Sequence, residues 1–395
     1  MKIYADNAAT TKPTKKVIET LMHYTEQVFG NPSSLYTTGQ IAKDALEDAR
    51  ERIAKHIGCM PNELYFTSGG SESDNQAIMS AAQNGLKNGK NKIISSTFEH
   101  HAVLHVLENL GKQGFEIVLL PVYEDGIVRV EDLENAIDDK TALVTIMTAN
   151  NEIGTIQPIK QLGEVCKRHN VVFHTDAVQA VGHLPINVKE QNIDMLSLSA
   201  HKFHGPKGIG ALYVKKGISL QSLIGGGAQE RRKRAGTENV PGIMAMAAAL
   251  DEALENLDNK MAYVANLRDS LQKELSKIPY SKVNGNLDNR LPGILNICFE
   301  GVEGEAMLLY TDDAGISVSS GSACTSGDLD PSHVLLAIGL PHEIAHGSMR
   351  ISLCDKNTME EIEYIAQNVP KVIERLRIMS PIWKDLQEGK KEHVI

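Results

Sequence analysis

From residue 64 to residue 214 the chain alternates short apolar runs with stretches of helical spacing, and no other feature restricts its fold as strongly. The runs at 64–67, 92–95, 115–120, 142–148, 171–176, 193–198 and 211–214 have the length of strands. Residues 101–110, 159–168 and those from Ser71 onward carry apolar side chains at helical intervals, as do 17–28 and 41–57 upstream. Strand and helix in alternation predict an α/β fold with a mostly parallel sheet covered by helices on both faces. Ligands of such sheets sit beyond the carboxyl ends of the strands. The residues at those ends therefore carry the functional argument.

Two ends stand out. The run 193–198 empties into Ser199-Ala200-His201-Lys202-Phe203-His204-Gly205-Pro206, placing a lysine where a core strand stops. A lone lysine in a turn is usually a surface residue; the sharper reading is a Schiff-base lysine, a role open to an amine whose basicity falls when desolvated. The run 171–176 ends in Asp176, with Gln179 three residues on. An acid and an amine at two strand ends suit pyridoxal 5'-phosphate, whose pyridine nitrogen is held protonated by the acid while the lysine takes the aldehyde. Thr67-Ser68-Gly69-Gly70-Ser71 joins a strand to a helix, so its backbone N–H groups offer a phosphate seat. On its own that turn would read as a helix cap. The loop 224–237, with Arg231, Arg232, Lys233 and Arg234, reads as a flexible cationic segment: a solvated charge run, or an aid in holding a phosphate or a partner subunit.

The remaining bounds are broad. A chain of 395 residues allows two or three domains. Forty basic against 50 acidic side chains, a net charge of −10, argues against a nucleic-acid surface. The first 13 residues lack an apolar targeting core, and the longest apolar run, 243–250, is too short to span a bilayer, so no membrane role and a cytoplasmic location are expected. Five cysteines without a CxxC pair fit a reducing compartment. After Pro241 a long helical stretch, 243–278, predicts a link to a smaller α+β segment, with strands at 293–299 and 348–353 and helices at 303–310, 331–338 and 359–379. The expected division is a small domain of residues 1–14 and 261–395 and a large cofactor-binding domain of 15–260. His342-Glu343-Ile344-Ala345-His346 matches the zinc-protease string HExxH, but Pro341 and Gly347 leave about one helical turn, so no intrinsic metal is expected there. Cys324 lies among Ser319-Ser320-Gly321-Ser322-Ala323 and Thr325-Ser326-Gly327, a run unlike any core segment, and reads as an exposed nucleophile. Cys59, Cys166, Cys298 and Cys354 sit in or beside apolar or regular segments and read as structural.

With these motifs in place the chain resembles the cysteine desulfurases of the NifS/IscS group, within the aminotransferase-like pyridoxal phosphate enzymes of fold type I. The likeness runs from Tyr4-Ala5-Asp6-Asn7-Ala8-Ala9-Thr10-Thr11 and Gly30-Asn31-Pro32-Ser33-Ser34 through Asn150-Asn151-Glu152-Ile153-Gly154 to Ser380-Pro381. It implies a large domain with a seven-stranded sheet and a smaller α+β domain bearing the cysteine loop. It implies Lys202 as the cofactor lysine, Asp176 as the partner of the ring nitrogen, and His100 as the imidazole stacked on the ring. Gln179 and Asn151 would bond the phenolic oxygen, with Asn151 also facing the substrate. Gly70, Ser71, Ser199 and His201 would grip the phosphate, Thr237 would reach across from a second subunit of a homodimer, and Arg350 would clamp the substrate carboxylate. The implied reaction takes sulfur from L-cysteine, leaves L-alanine, and loads a persulfide on Cys324 for an iron–sulfur scaffold or another sulfur acceptor; Cys324 is also a possible transient iron–sulfur ligand. A selenocysteine lyase or an aminotransferase is the alternative. Three departures from the group's usual spelling stand in this chain: Tyr36 where His is common, Gly70-Ser71 where Ala-Thr is common, and Cys354-Asp355-Lys356 where Gly and a basic residue are common. The last is expected to shift substrate-side contacts.

Overall fold

A computed structural model describes residues 1–320 and 331–395; Cys324 lies outside the described residues. Strand β1 (Ile3–Tyr4) opens the chain, followed by helices α1 (Lys15–Glu26) and α2 (Thr37–Ile57). The central sheet takes β2 (Leu64–Thr67), β3 (Lys92–Ser96), β4 (Glu116–Leu120), β5 (Thr141–Thr145), β6 (Val172–Asp176), β7 (Met195–Ser199) and β8 (Gly210–Val214). Its spatial order is β2-β8-β7-β6-β5-β3-β4. Neighbours run parallel except at β8, which is antiparallel to both β7 and β2. The seven-stranded, mostly parallel α/β sheet is thus present as the alternation predicts.

Burial explains the run-like sequences. Every residue of β3, β5, β7 and β8 is buried, as required of strands with helices on both faces. The edge strand β4 is half exposed. Helices α3 (Gly70–Lys87) and α4 (His101–Lys112) follow β2 and β3 directly.

Beyond residue 254 the structure departs from the single helical stretch expected over 243–278. Helix Val240–Leu254 ends, Asn256 takes a left-handed backbone (φ 53°), and a second helix runs Leu257–Leu275. Asparagine is one of the few non-glycine residues that adopt that conformation readily. The apolar face of Val264, Leu267 and Leu271 then packs on a three-stranded antiparallel sheet of order β12-β10-β9, made of β9 (Ser281–Val283), β10 (Ile294–Phe299) and β12 (Ser348–Ser352). Strand β11 (Ile316–Ser317) pairs with β1. Strands as short as β1, β9 and β11 carry no readable period, so the sequence offers no sign of them. Among the described residues no helix is long and apolar enough to cross a membrane.

One buried ion pair was not legible beforehand. Glu230 lies in the cationic loop, yet its carboxylate accepts two bonds from Arg50 of α2, at 2.7 and 3.0 Å, and one from Phe66 N at 2.9 Å. Both side chains are 3% exposed. This anchor holds Glu230, Arg231 and Arg232 at positive φ. Arg231 donates to the carbonyls of Pro61, Asn62 and Leu64, Lys233 to that of Leu220, and Arg234 pairs with Glu72. The segment expected to be a flexible cationic loop is therefore tied down, because Arg231, Lys233 and Arg234 find carbonyls and a carboxylate within the same chain. Glu230→Ala strands the Arg50 charge and is expected to destabilise the fold by about 3 kcal/mol, measured by denaturant unfolding. A loss within ~0.5 kcal/mol would show that Glu47, which also contacts Arg50, suffices.

Candidate active site

Five strands of the central sheet deliver side chains to one edge. Asp176 is the last residue of β6, and Ser199 the last of β7, which continues into the turn Ala200–Lys202. The strands are parallel neighbours with Asp176 opposite Ser197, so the acid and the lysine emerge on the same side. The end of β2 supplies Gly70 and Ser71, the end of β3 supplies His100, and the segment after β5 supplies Asn151. From the smaller sheet β12 brings Arg350. These residues, with Gln179 and His201, line one cavity of about 250 Å³. Thr237 lines a separate cleft with Thr67, Ser68 and Arg234. The Cys354-Asp355-Lys356 segment lies on a neighbouring cavity and does not line this one.

The amino-terminal turn closes one wall. Lys202 Nζ donates to the carbonyls of Ala8 at 2.6 Å and Ala9 at 2.9 Å. Gln179 Nε2 also donates to the Ala8 carbonyl at 2.9 Å, and Thr11 binds the His201 carbonyl. Arg350 is held from two sides: its guanidinium donates to the Asn151 carbonyl at 3.1 Å and to Asp6 Oδ1 at 2.9 Å. Its Nε is buried without a partner among the described residues. A buried donor left unmade is costly, and a substrate carboxylate is the natural acceptor for it.

The electrostatics separate the groups. Burial raises the Asp176 carboxyl to about 6, against the pull of a bond from Val178 N and of the Lys202 charge. A protonated ring nitrogen is the kind of cation that would restore its ionised form. Behind it, Asp74 is held well above the usual carboxylate range by burial and then by the Asp176 charge. Two acids so close share the burden of desolvation, and Asp74 is the one that keeps the proton. Burial, then Lys202, lowers the His100 imidazole to about 4. Its Nδ1 accepts from Ala102 N at 3.1 Å, capping α4. His201 is likewise lowered to about 4 by burial. Both rings are therefore neutral at physiological pH.

The phosphate seat has its own logic. The first residue before α3, Gly69, offers no side-chain cap, which leaves the N–H groups of the first turn for an anion. A Cβ on Gly210 would lie 2.7 Å from Gly69 Cα, so glycine on β8 is what lets this turn approach the sheet. A Cβ on Gly70 would lie 2.6 Å from Val178 Cγ2. An alanine there would have to displace Val178.

Glu99, next to His100, carries no sequence sign of its burial, because one of its two partners, Met147, lies 48 residues away. Ser96 Oγ donates to it, and both its oxygens lie 3.0 Å from Met147 N. Burial raises its carboxyl to about 8. The folded state thus holds a proton that the unfolded chain releases, so stability from this group is full below the ordinary value near 4.5 and is lost as pH rises through 8. Glu99→Gln mimics the protonated acid. It is expected to remove that slope, leaving the variant more stable than the parent above pH 8 by on the order of 4 kcal/mol. Parallel melting curves from pH 5 to 9 check it; identical slopes would contradict it.

The model for the family described as Aminotransferase class-V matches residues 3–365. Cysteine desulfurase IscS of Clostridium botulinum (strain Hall) is 52% identical over 394 residues, spanning 99% of either chain. The chain belongs to the cysteine desulfurase group of the class V aminotransferases. Among solved structures, one described as a NifS-like protein superposes with a TM-score of 0.90 at 38% identity, covering 95% of this chain and 100% of that one. Another, described as SspA in complex with cysteine, has a TM-score of 0.80 at 37% identity and covers 90% of this chain and 100% of its own. Class V aminotransferases are pyridoxal phosphate enzymes. The donor set here fits that group: an amine and an acid at adjacent strand ends, an uncapped helix start, and a neutral imidazole.

Proposed function

We infer that this chain is a cysteine desulfurase that converts L-cysteine and the Cys324 thiol into L-alanine and a Cys324 persulfide. One sulfur atom moves: the substrate C–S bond breaks, an S–S bond forms on Cys324, and the thiol hydrogens end on the alanine methyl and the persulfide. The observation that carries this reading is the convergence of Asp176, Lys202, His100 and Arg350 on a single cavity. The complex of the related SspA with cysteine supports the substrate.

Pyridoxal phosphate, when bound, supplies an aldehyde for amines and an electron sink for the carbanion left by proton removal. Lys202 would hold it covalently, Asp176 would face its ring nitrogen, and His100 would cover its ring. Gln179 and Asn151 would bond its phenolic oxygen, while Gly70, Ser71, Ser199 and His201 would grip the phosphate. Lys202 Nζ would be the base that moves the substrate α-proton, and the neutral His100 imidazole would assist proton traffic. Arg350 orients the substrate through its carboxylate, presented by Asp6 and the Asn151 carbonyl. The chain on either side of the cysteine segment is fastened at this site: Ser319 bridges Arg350, and Ser332 donates to Glu152, next to Asn151.

We further propose a homodimer with Thr237 serving the partner's phosphate seat. In its favour, Thr237 lines a cleft apart from Lys202, and Phe29 and Leu35 are 75% and 93% exposed. Ile18, Met22 and Ile41 are exposed as well, and exposed apolar side chains of that size fit a subunit contact. The division into residues 15–260 and 1–14 with 261–395, a cytoplasmic location, and delivery of sulfur to an iron–sulfur scaffold or another acceptor protein belong to the same proposal. Incubation with L-cysteine and a reductant tests the activity. Sulfide and alanine in equal yield are expected; alanine without sulfide, or neither product, would refute it.

A further inference from the structure

Cys354 is not merely a structural thiol. We propose that His204, Cys354 and Asp355 form a binding site for a divalent transition-metal cation of the zinc class, separate from the Lys202 cavity. One ligand atom from each of the three lies within 4.8 Å of the others. Zinc bonds of roughly 2.0–2.3 Å set tetrahedral ligands about 3.5 Å apart, so side-chain adjustments of about an ångström complete the set.

The orientation of the imidazole points to a cation. His204 Nδ1 lies 2.9 Å from the Lys12 carbonyl oxygen. A carbonyl only accepts, so Nδ1 carries a proton and Nε2 is the nitrogen left to face a ligand. That Nε2 faces Asp355 Oδ1 at 3.7 Å, too far for a hydrogen bond. A metal ion fits between the two as a shared partner, with the Cys354 sulfur within 4.8 Å. A carbonyl behind the imidazole is the usual support of a metal-bound histidine.

The surroundings hold the three ligands in place. His204 sits at φ 64°, fixed by its N–H bond to Thr11 Oγ1 at 2.7 Å. Lys356 Nζ engages Asp355 Oδ2 at 2.7 Å, leaving Oδ1 toward the histidine. Cys354 N bonds Asn357 Oδ1 at 2.9 Å. All three ligands border a cavity of about 120 Å³, room for solvent at a fourth position. On its wall stands His183, whose Nδ1 is buried with no hydrogen-bond partner among the described residues. Thiolate with imidazole favours zinc-like ions over magnesium or calcium. Binding expels the Cys354 thiol proton to solvent and forms a metal–sulfur bond. The ion would fasten the turn that carries Lys202 to the segment that follows Arg350.

The test uses the full chain with cofactor and Cys324→Ser, so that the reactive thiol proposed above cannot contribute. Titration with Co²⁺ is expected to give a thiolate-to-cobalt charge-transfer band that saturates at one equivalent and is displaced by Zn²⁺. Adding Cys354→Ser abolishes the band. His204→Asn, which suits a left-handed backbone, and Asp355→Asn weaken binding at least about tenfold. No thiolate band in the Cys324→Ser protein, or a band unchanged by Cys354→Ser, overturns the proposal. The first of these readings needs no substitution in the site itself, and neither depends on desulfurase activity.

Discussion

Lys202→Ala is expected to lower L-cysteine turnover by at least about 10⁴-fold, the upper range of what a positioned acid–base group contributes, and to abolish covalent cofactor attachment. The lysine does several things at one atom. Its Nζ is held by the Ala8 and Ala9 carbonyls, ready to be given up to an aldehyde. Its charge opposes the upward drift of the Asp176 carboxyl and helps keep His100 neutral. Alanine deletes all of these functions, whereas the two carbonyls lose only hydrogen bonds worth about 1 kcal/mol each. The protein should therefore fold and fail. Lys202→Arg separates charge from chemistry: guanidinium keeps the field on Asp176 but forms no imine and releases no proton near neutral pH. It should be as inactive as alanine. Activity of either variant within tenfold of the parent would mean that another amine does the work.

Cys324→Ser is expected to leave the cofactor absorbance and cysteine binding unchanged while lowering sulfur release by at least about 10³-fold. Deleting the nucleophile of a covalent mechanism costs up to about 10⁶-fold, and a serine hydroxyl is far too weak an acid to replace a thiolate. The other thiols do not substitute. Cys59, Cys166 and Cys298 are buried, and burial raises Cys59 and Cys298 to about 12. Cys354 is raised to about 11 by the same cause. A Cys324→Ser enzyme that still releases sulfide at the parental rate would point to direct elimination without a protein nucleophile.

What could be read from the sequence follows from the range of the interactions. Asp176 and Lys202 end apolar runs, and a run ending in a charged residue is visible within ten positions; the parallel sheet then sets them side by side. Gly70 and Ser71 announce themselves by the strand–glycine–helix pattern. By contrast, the carbonyls that hold Lys202 come from more than 190 residues away, and a backbone oxygen has no sequence signature. Asp74 looks like an ordinary acid near the start of a helix, yet it is buried beside Asp176. Glu230 was hidden for another reason: among four bases it read as part of a charge run, while its partner Arg50 lies on α2. The break at Asn256 was missed because helical spacing continues in phase on either side of one left-handed residue.

The most direct measurement is mass spectrometry of the peptide containing residue 324 after a single turnover with L-cysteine and no reductant. One added sulfur atom on that peptide, matched by one equivalent of alanine and absent in Lys202→Ala, is the predicted result. Alanine formed with no sulfur on residue 324 would contradict the account.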